Sequence, residues 1–187
     1  MLVLVGASAS GKTQLAKALI KHHQFKKLVT TTTRQPRKNE RPGIDYHFLS
    51  AATFLKYQQE NKLLEATHYH GHWYGIKKED VQDDCVVIVD PQGANVLKAQ
   101  LGHEAFIVFV KTSEGLRERR MLKRGDLAKE VAERLEIDQE HFAPEAFDAI
   151  DYTLDNNHGS ILKNAQHLAS VYALNQKAHS TEEENRH

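Results

Sequence analysis

The chain has 187 residues, and Lys plus Arg equals Asp plus Glu at 25 each, for a formal net charge of +0. That balance argues against a general nucleic-acid binder, so any anion site has to be a local concentration of positive charge. A single cysteine, Cys85, excludes a disulfide framework and suits a reducing compartment.

Short apolar runs alternate with helical patterns. The opening "LVLV" (2–5) reads as a strand buried on both faces, and it is too short for a signal peptide. "TQLAKALIKHH" (13–23) has apolar residues at helical spacing. Residues 28–76 break the rhythm with Pro36, Pro42, several threonines and strand-like pieces such as "DYHFLS" and "HWYGI". They predict an inserted antiparallel subdomain with one short helix near 51–61. "CVVIV" (85–89) predicts a second buried strand, with Cys85 as a small buried hydrophobe, followed by a helix near 92–101. "AFIVFV" (105–110) is a third strand, and "SEGLRERRMLKR" (113–124) a helix with Ser113 as its N-cap. Residues 124–140 are charged, helical and poor in large apolar side chains, which suits a mobile cover. "DYTLD" (151–155) is a weaker strand, 160–176 a closing amphipathic helix, and the polar end a frayed tail. Strand–helix alternation of this kind predicts a parallel sheet covered on both faces. No apolar run approaches the roughly 20 residues of a membrane span. The expectation is a soluble cytoplasmic protein with neither membrane nor nucleic-acid partners.

The segment "GASASGKT" satisfies G-x-x-x-x-G-K-[ST] with Gly6, Ala7, Ser8, Ala9, Ser10, Gly11, Lys12 and Thr13, between a predicted strand and a predicted helix. Such a turn aims backbone N–H groups inward, and the helix N-terminus adds partial positive charge. Lys12 is then placed for the β- and γ-phosphates of ATP, and the Thr13 hydroxyl for Mg²⁺. Ala9 is tolerable in such a turn if φ there is negative. In "TTTTRQPRKNERPGIDYHF" (30–48), Arg34 and Arg37 flank Pro36, with Tyr46 downstream. Two guanidinium forks and a phenol can clamp a phosphomonoester. The same spacing also suits a solvated basic loop.

The ordered set "GASASGKT", "TTTRQPR", "DYHFLS", "LLEATHYHGHWYG", "VDPQG" and "KRGD" resembles the guanylate kinase family over about residues 2–157. The resemblance implies an α/β P-loop NTPase core with a helix-flanked parallel sheet (1–27, 82–122 and 141–176). It further implies an antiparallel insert for the nucleoside monophosphate (28–81), a helical lid (123–140) and a polar tail (177–187). The implied activity is Mg·ATP-dependent phosphorylation of GMP to GDP, with small nucleotides as ligands, in a monomer or homodimer. It also implies that Thr30 helps bind guanine, that Arg34, Arg37, Tyr46 and Tyr74 hold the GMP phosphate, and that Glu40, close to Arg37, orients that clamp. Glu65 matches the carboxylate that reads the base, accepting from guanine N1–H and the N2 amino group together. Asp90 lies near the acceptor phosphate and the metal's water shell, Arg124 and Arg134 close on the ATP phosphates, and Asn156 sits beside the adenine.

Two departures fall on the acceptor side: Ile76 replaces a small hydroxyl residue after "WYG", and Ile88 replaces the first of two aspartates before "QG". They leave open a kinase acting on a sugar phosphate such as ribose 1,5-bisphosphate, and a non-catalytic phospho-ligand module with this fold remains a third reading. Glu65 argues against the first, intact Lys12 and Thr13 against the second. His68, His70 and His72 alternate, which would put three imidazoles on one face of an extended strand. No fixed-spacing carboxylate or thiol completes a zinc site, and these histidines read as strand side chains beside the acceptor pocket.

Overall fold

An apolar strand without polar alternation can be buried only where helices cover both of its faces. The computed structural model, which describes residues 1–37, 40–69 and 71–184, meets that requirement. In chain order it contains β1 (Leu2–Val5), α1 (Lys12–His22), β2 (Lys26–Lys27), β3 (Thr31–Thr32), β4 (His47–Phe48), α2 (Ala51–Gln59), β5 (Leu63–Tyr69), β6 (His72–Lys77) and β7 (Cys85–Ile88). Then follow α3 (Pro91–Leu101), β8 (Phe106–Lys111), α4 (Glu114–Lys123), α5 (Ala128–His141), β9 (Tyr152–Asp155) and α6 (Ile161–Glu184).

Among the described residues β2-β7-β1-β8-β9 form a five-stranded sheet, parallel throughout. The period-2 alternation of β1 divides the core. Leu2 and Leu4 pack with Leu15, Leu19 and Leu168 on the α1–α6 face, and Val3 and Val5 pack with Val87, Leu97 and Ile107 on the other. Each such side chain contributes about 1.5–3 kcal/mol on burial. Cys85 is 2% exposed, as a small buried hydrophobe should be. With β1 and β7 adjacent, the loops after both open onto one crevice at the carboxyl edge of the sheet.

The smaller sheet runs β4-β3-β6-β5. Its β3–β6 and β5–β6 pairs are antiparallel, but β3 pairs with β4 in parallel, so the insert is a mixed sheet rather than a wholly antiparallel one. Two buried threonine hydroxyls secure β3 to β6: Thr31 donates to the Gly75 carbonyl at 3.0 Å and Thr32 to that of Trp73 at 3.0 Å. Helix α2 starts at Ser50, whose Oγ accepts from the Thr53 amide at 3.0 Å, and it buries Phe54 against Trp73.

Several expectations are corrected. A hairpin turn separates β5 from β6, so His68 and His72 sit on opposite strands, across from Trp73 and Tyr69, and do not share one strand face. His70 lies outside the described residues. Ser113 occupies the N-cap position of α4 but its side chain caps nothing; its amide instead donates to Asn157 Oδ1 at 2.7 Å. Helix α6 continues to Glu184, through most of the expected frayed tail, and 185–187 lie outside the described residues. Among the described residues no helix is long and apolar enough to cross a membrane.

Candidate active site

The chain leaves β1 at Val5 and enters α1 at Lys12 through the glycine-rich loop. Gly11 caps α1 with φ of 105°, and a Cβ there would come within 2.3 Å of Asn156 Nδ2. Both facts demand glycine. Gly11→Ala is therefore expected to lower unfolding free energy by about 2 kcal/mol or more, read as a lower urea midpoint. Ala9 does not keep φ negative: its φ is 58°, in the left-handed region. The loop's course sets that angle, and a residue with a Cβ adopts it at a cost of about 1–2 kcal/mol.

Lys12 folds back over the loop, donating to the Gly6 carbonyl and, at 2.9 Å, to the Ala7 carbonyl. Burial pushes its pKa down to about 8, partly countered by Asp138. An ammonium held among carbonyls, with lowered basicity, is one that an incoming phosphate would satisfy better. On one side of it opens a cavity of about 400 Å³ lined by Ala9, Gly11, Lys12, Thr13, Arg120 and Arg124. For a G-x-x-x-x-G-K-[ST] loop this is the expected donor side.

A second cavity of about 260 Å³ shares Lys12 as well. It brings Gly6, Ser8, Thr30, Tyr46, Glu65, Thr67, Tyr74 and Asp90 together, with Ile88 and Phe142 as apolar wall. Glu65 reaches it from β5 and is 4% exposed. Its Oε1 has no hydrogen-bond partner, and burial raises its pKa to about 8, with Thr67 opposing and Asp90 adding to the rise. A buried, unpartnered carboxyl oxygen aimed at a cavity marks a place for a donor pair from a ligand. Asp90 spends one oxygen as N-cap of α3, accepting from the Gly93 amide at 2.7 Å. Of the two isoleucine departures, Ile88 lines this cavity, whereas Ile76 is fully buried in the core beneath β6.

Glu40 sits close to Arg37 and touches both arginines of the clamp: Arg34 Nη2 donates to both Glu40 oxygens at 2.9 Å, and the Arg37 backbone amide donates to Glu40 at 2.8 Å, so the ion pair itself is with Arg34. The hydrogen bond to Glu40 raises the Arg34 pKa further. Arg34 lies 5.4 Å from the Tyr46 ring centre, and the Tyr46 and Tyr74 ring centres are 6.2 Å apart; the two tyrosines line the second cavity, and Arg34 does not. The Arg37 side chain is exposed and lines neither cavity.

The lid arginines converge on one carboxylate. Arg124 Nε donates to Asp126 at 2.9 Å, as does Arg134 Nη1, and their positive charge holds Asp126 below its usual pKa. Arg124 lines the donor cavity; Arg134 does not. Asn156 is corrected too. It is 3% exposed, donates to the Ser10 carbonyl at 2.7 Å and accepts from Asn164 at 2.7 Å, so both ends of its amide are committed behind the loop. Nor is α5 a loose cover: Val131, Leu135 and Asp138 are buried, the first two with Met121 against Ala9.

Sequence reasoning missed Thr67, Phe142, Arg117, Arg120 and Asp138. Phe142 lies 5.9 Å from Lys12 Nζ, and Arg120 donates to the carbonyls of Ala9 and Ser10 at 3.0 and 3.2 Å. The two arginines and the aspartate stand in charged helical stretches whose composition reads as solvated surface, so no pattern marked them.

A parallel sheet whose first strand feeds G-x-x-x-x-G-K-T into a helix defines the class: a P-loop fold of the kinase kind. The comparisons narrow it. The family model described as guanylate kinase matches residues 1–172. A guanylate kinase of Wolinella succinogenes is 41% identical over 137 residues, which span 67% of this chain and 63% of that protein, slightly under two thirds. One of Sphingopyxis alaskensis is 34% identical over 168 residues, 84% of this chain and 75% of the relative. Among solved structures, guanylate kinase from Anaplasma phagocytophilum superposes with a TM-score of 0.71 at 24% identity, covering 94% of this chain and 85% of its own. Shikimate kinase from Acinetobacter baumannii in complex with shikimate does so with 0.53 at 14%, covering 93% of each. The structural matches bear on the fold alone. This chain belongs to the guanylate kinase family.

Proposed function

We propose that the protein transfers the γ-phosphoryl group of ATP to GMP. The observation that carries this reading is that Lys12 borders both cavities, so one ammonium faces the donor's leaving phosphoryl and the acceptor's incoming oxygen. The geometry fits ATP phosphates on the donor side: a glycine turn with no room for a Cβ at Gly11, a lysine folded back onto the Gly6 and Ala7 carbonyls and the Ser10 hydroxyl, and Arg120 and Arg124 on the wall. Thr13, exposed at the first turn of α1 on that wall, has the hydroxyl chemistry to hold Mg²⁺, which would supply positive charge to offset that of the phosphates.

On the acceptor side Arg34, Tyr46 and Tyr74 hold the monophosphate, with Arg37 joining from its exposed position on closure. Asp90 stands beside that phosphate. Glu65, with Thr30, reads the base. Arg124 and Arg134 exchange Asp126 for the transferring phosphoryl group as the 28–81 insert closes on the core, the 123–140 segment being already seated on the phosphate loop. The protein supplies position and electrostatics, with no covalent intermediate. Water exclusion on closure suppresses ATP hydrolysis.

Coupled ADP-release assays across GMP, dGMP, AMP, UMP and ribose phosphates test this; GMP is expected to turn over fastest, and equal use of AMP rejects the base assignment. Glu65 also sets a pH dependence. Guanine needs the ionised carboxylate, but in the free protein that group holds its proton up to about pH 8. The KM for GMP is therefore expected to fall about tenfold between pH 7 and pH 9 and then level off. Glu65→Gln should abolish that slope.

A further inference from the structure

Asp138 stands near the end of α5 with 2% exposure and lines neither cavity. Its Oδ2 accepts from the Ser8 amide at 2.8 Å and from Arg117 Nη1 at 2.7 Å, and its Oδ1 accepts from the Ser8 hydroxyl at 3.3 Å. Arg117, on α4, is itself 6% exposed. An ion pair this buried is weak evidence for stability, since desolvation offsets much of its attraction. What it does do is fix a backbone amide of the phosphate loop.

The next residue is the strained one. Ala9 holds φ of 58° without a glycine's freedom. The α4–α5 pair holds it: Asp138 holds Ser8, Met121, Val131 and Leu135 pack against Ala9, and Arg120 donates to the carbonyls of Ala9 and Ser10. Strain of this kind persists only where the surroundings over-determine it.

We propose that Asp138 is a positioning residue for the phosphate loop: neutralised by Arg117, it accepts from Ser8 and so holds Ser8–Ala9 in the phosphate-binding conformation that alanine does not adopt unaided. The ATP readout rests on the donor assignment above; the loop readout does not.

The test compares Arg117→Met/Asp138→Ala with Arg117→Met/Asp138→Asn. Both remove the buried charge pair, and only the second keeps an acceptor for Ser8. Amide hydrogen exchange over residues 6–13 of the unliganded protein is expected to quicken about tenfold in the Ala version and stay near wild type in the Asn version, tenfold being the equilibrium cost of the left-handed region. The affinity for ATP and its KM should weaken by a similar factor in the Ala version, with the KM for GMP changed less than twofold. Adding Ala9→Gly to the Ala version should recover most of the loss. If the Ala version unfolds, Arg117→Met/Asp138→Leu, which fills the volume, takes its place. Equal effects of Ala and Asn, equal weakening toward both nucleotides, or no recovery with Ala9→Gly would each overturn the proposal. Wild-type protein that fails to bind ATP would sink the donor assignment, and loop exchange would then decide the proposal alone.

Discussion

Lys12→Met is expected to lower kcat for transfer from ATP to GMP by at least about 10³-fold, the scale of removing a pre-placed charge from a dry site. Methionine keeps the length and packs against the same loop, so the loss isolates the ammonium. Stability moves independently. The Lys12 pKa is lowered from 10.5 to about 8 in the folded protein, so the folded state disfavours its charged form. That cost is fully present below pH 8 and disappears as pH rises toward 10.5, about 3 kcal/mol at pH 7 before its bonds to the Gly6 and Ala7 carbonyls are counted. The variant should therefore melt no lower than wild type at pH 7 while being almost inactive. A Lys12→Met protein retaining a tenth of wild-type kcat would show that this ammonium is not at the reacting centre.

The second large effect falls on Glu65. Glu65→Ala is expected to lower kcat/KM for GMP about 10²–10³-fold, because two charge-assisted hydrogen bonds to the guanine edge are lost together. Turnover of AMP, which cannot offer that donor pair, should change little, so the ratio of the two substrates is the decisive quantity. The carboxyl is also a burden on the free protein. Its folded pKa of about 8 lies above the usual 4.5, so its contribution is favourable below pH 4.5 and is lost as pH rises through 8. The Tm of Glu65→Gln should accordingly gain on wild type between pH 5 and pH 8. If GMP and AMP turnover fell in parallel, Glu65 would be a structural group and the base assignment would fail.

The lid shows why charge composition alone misleads. Residues 124–140 are polar enough to look like a free cover, yet Val131, Leu135 and Asp138 are buried against the phosphate loop. A buried Arg117–Asp138 pair has the same one-dimensional signature as a solvated one, because burial depends on what packs above it. The arginine clamp repeats the lesson. Arg34, Arg37 and Glu40 stand within seven residues of one another, and spacing could not tell which guanidinium the carboxylate would take. In the structure Arg34, set over the Tyr46 ring, forms the ion pair with Glu40, and Arg37 meets it through its backbone amide.

Local chemistry was legible from the chain itself: glycine spacing before Lys12 and Thr13, apolar runs too short for anything but buried strands, and the alternation that makes a parallel sheet. These follow from nearest-neighbour geometry, since a turn or a strand needs only its own residues to declare itself. Which side chains meet across the crevice was decided by tertiary structure alone. Tertiary structure sets α4 and α5 against a loop whose Ala9 has φ of 58°, commits the Asn156 amide to Ser10 and Asn164, and leaves an unpartnered Glu65 oxygen at the cavity that shares Lys12. Those outcomes depend on residues more than a hundred positions apart in some cases, as with Ser8 and Asp138, and on the cost of burying each polar atom where it lands.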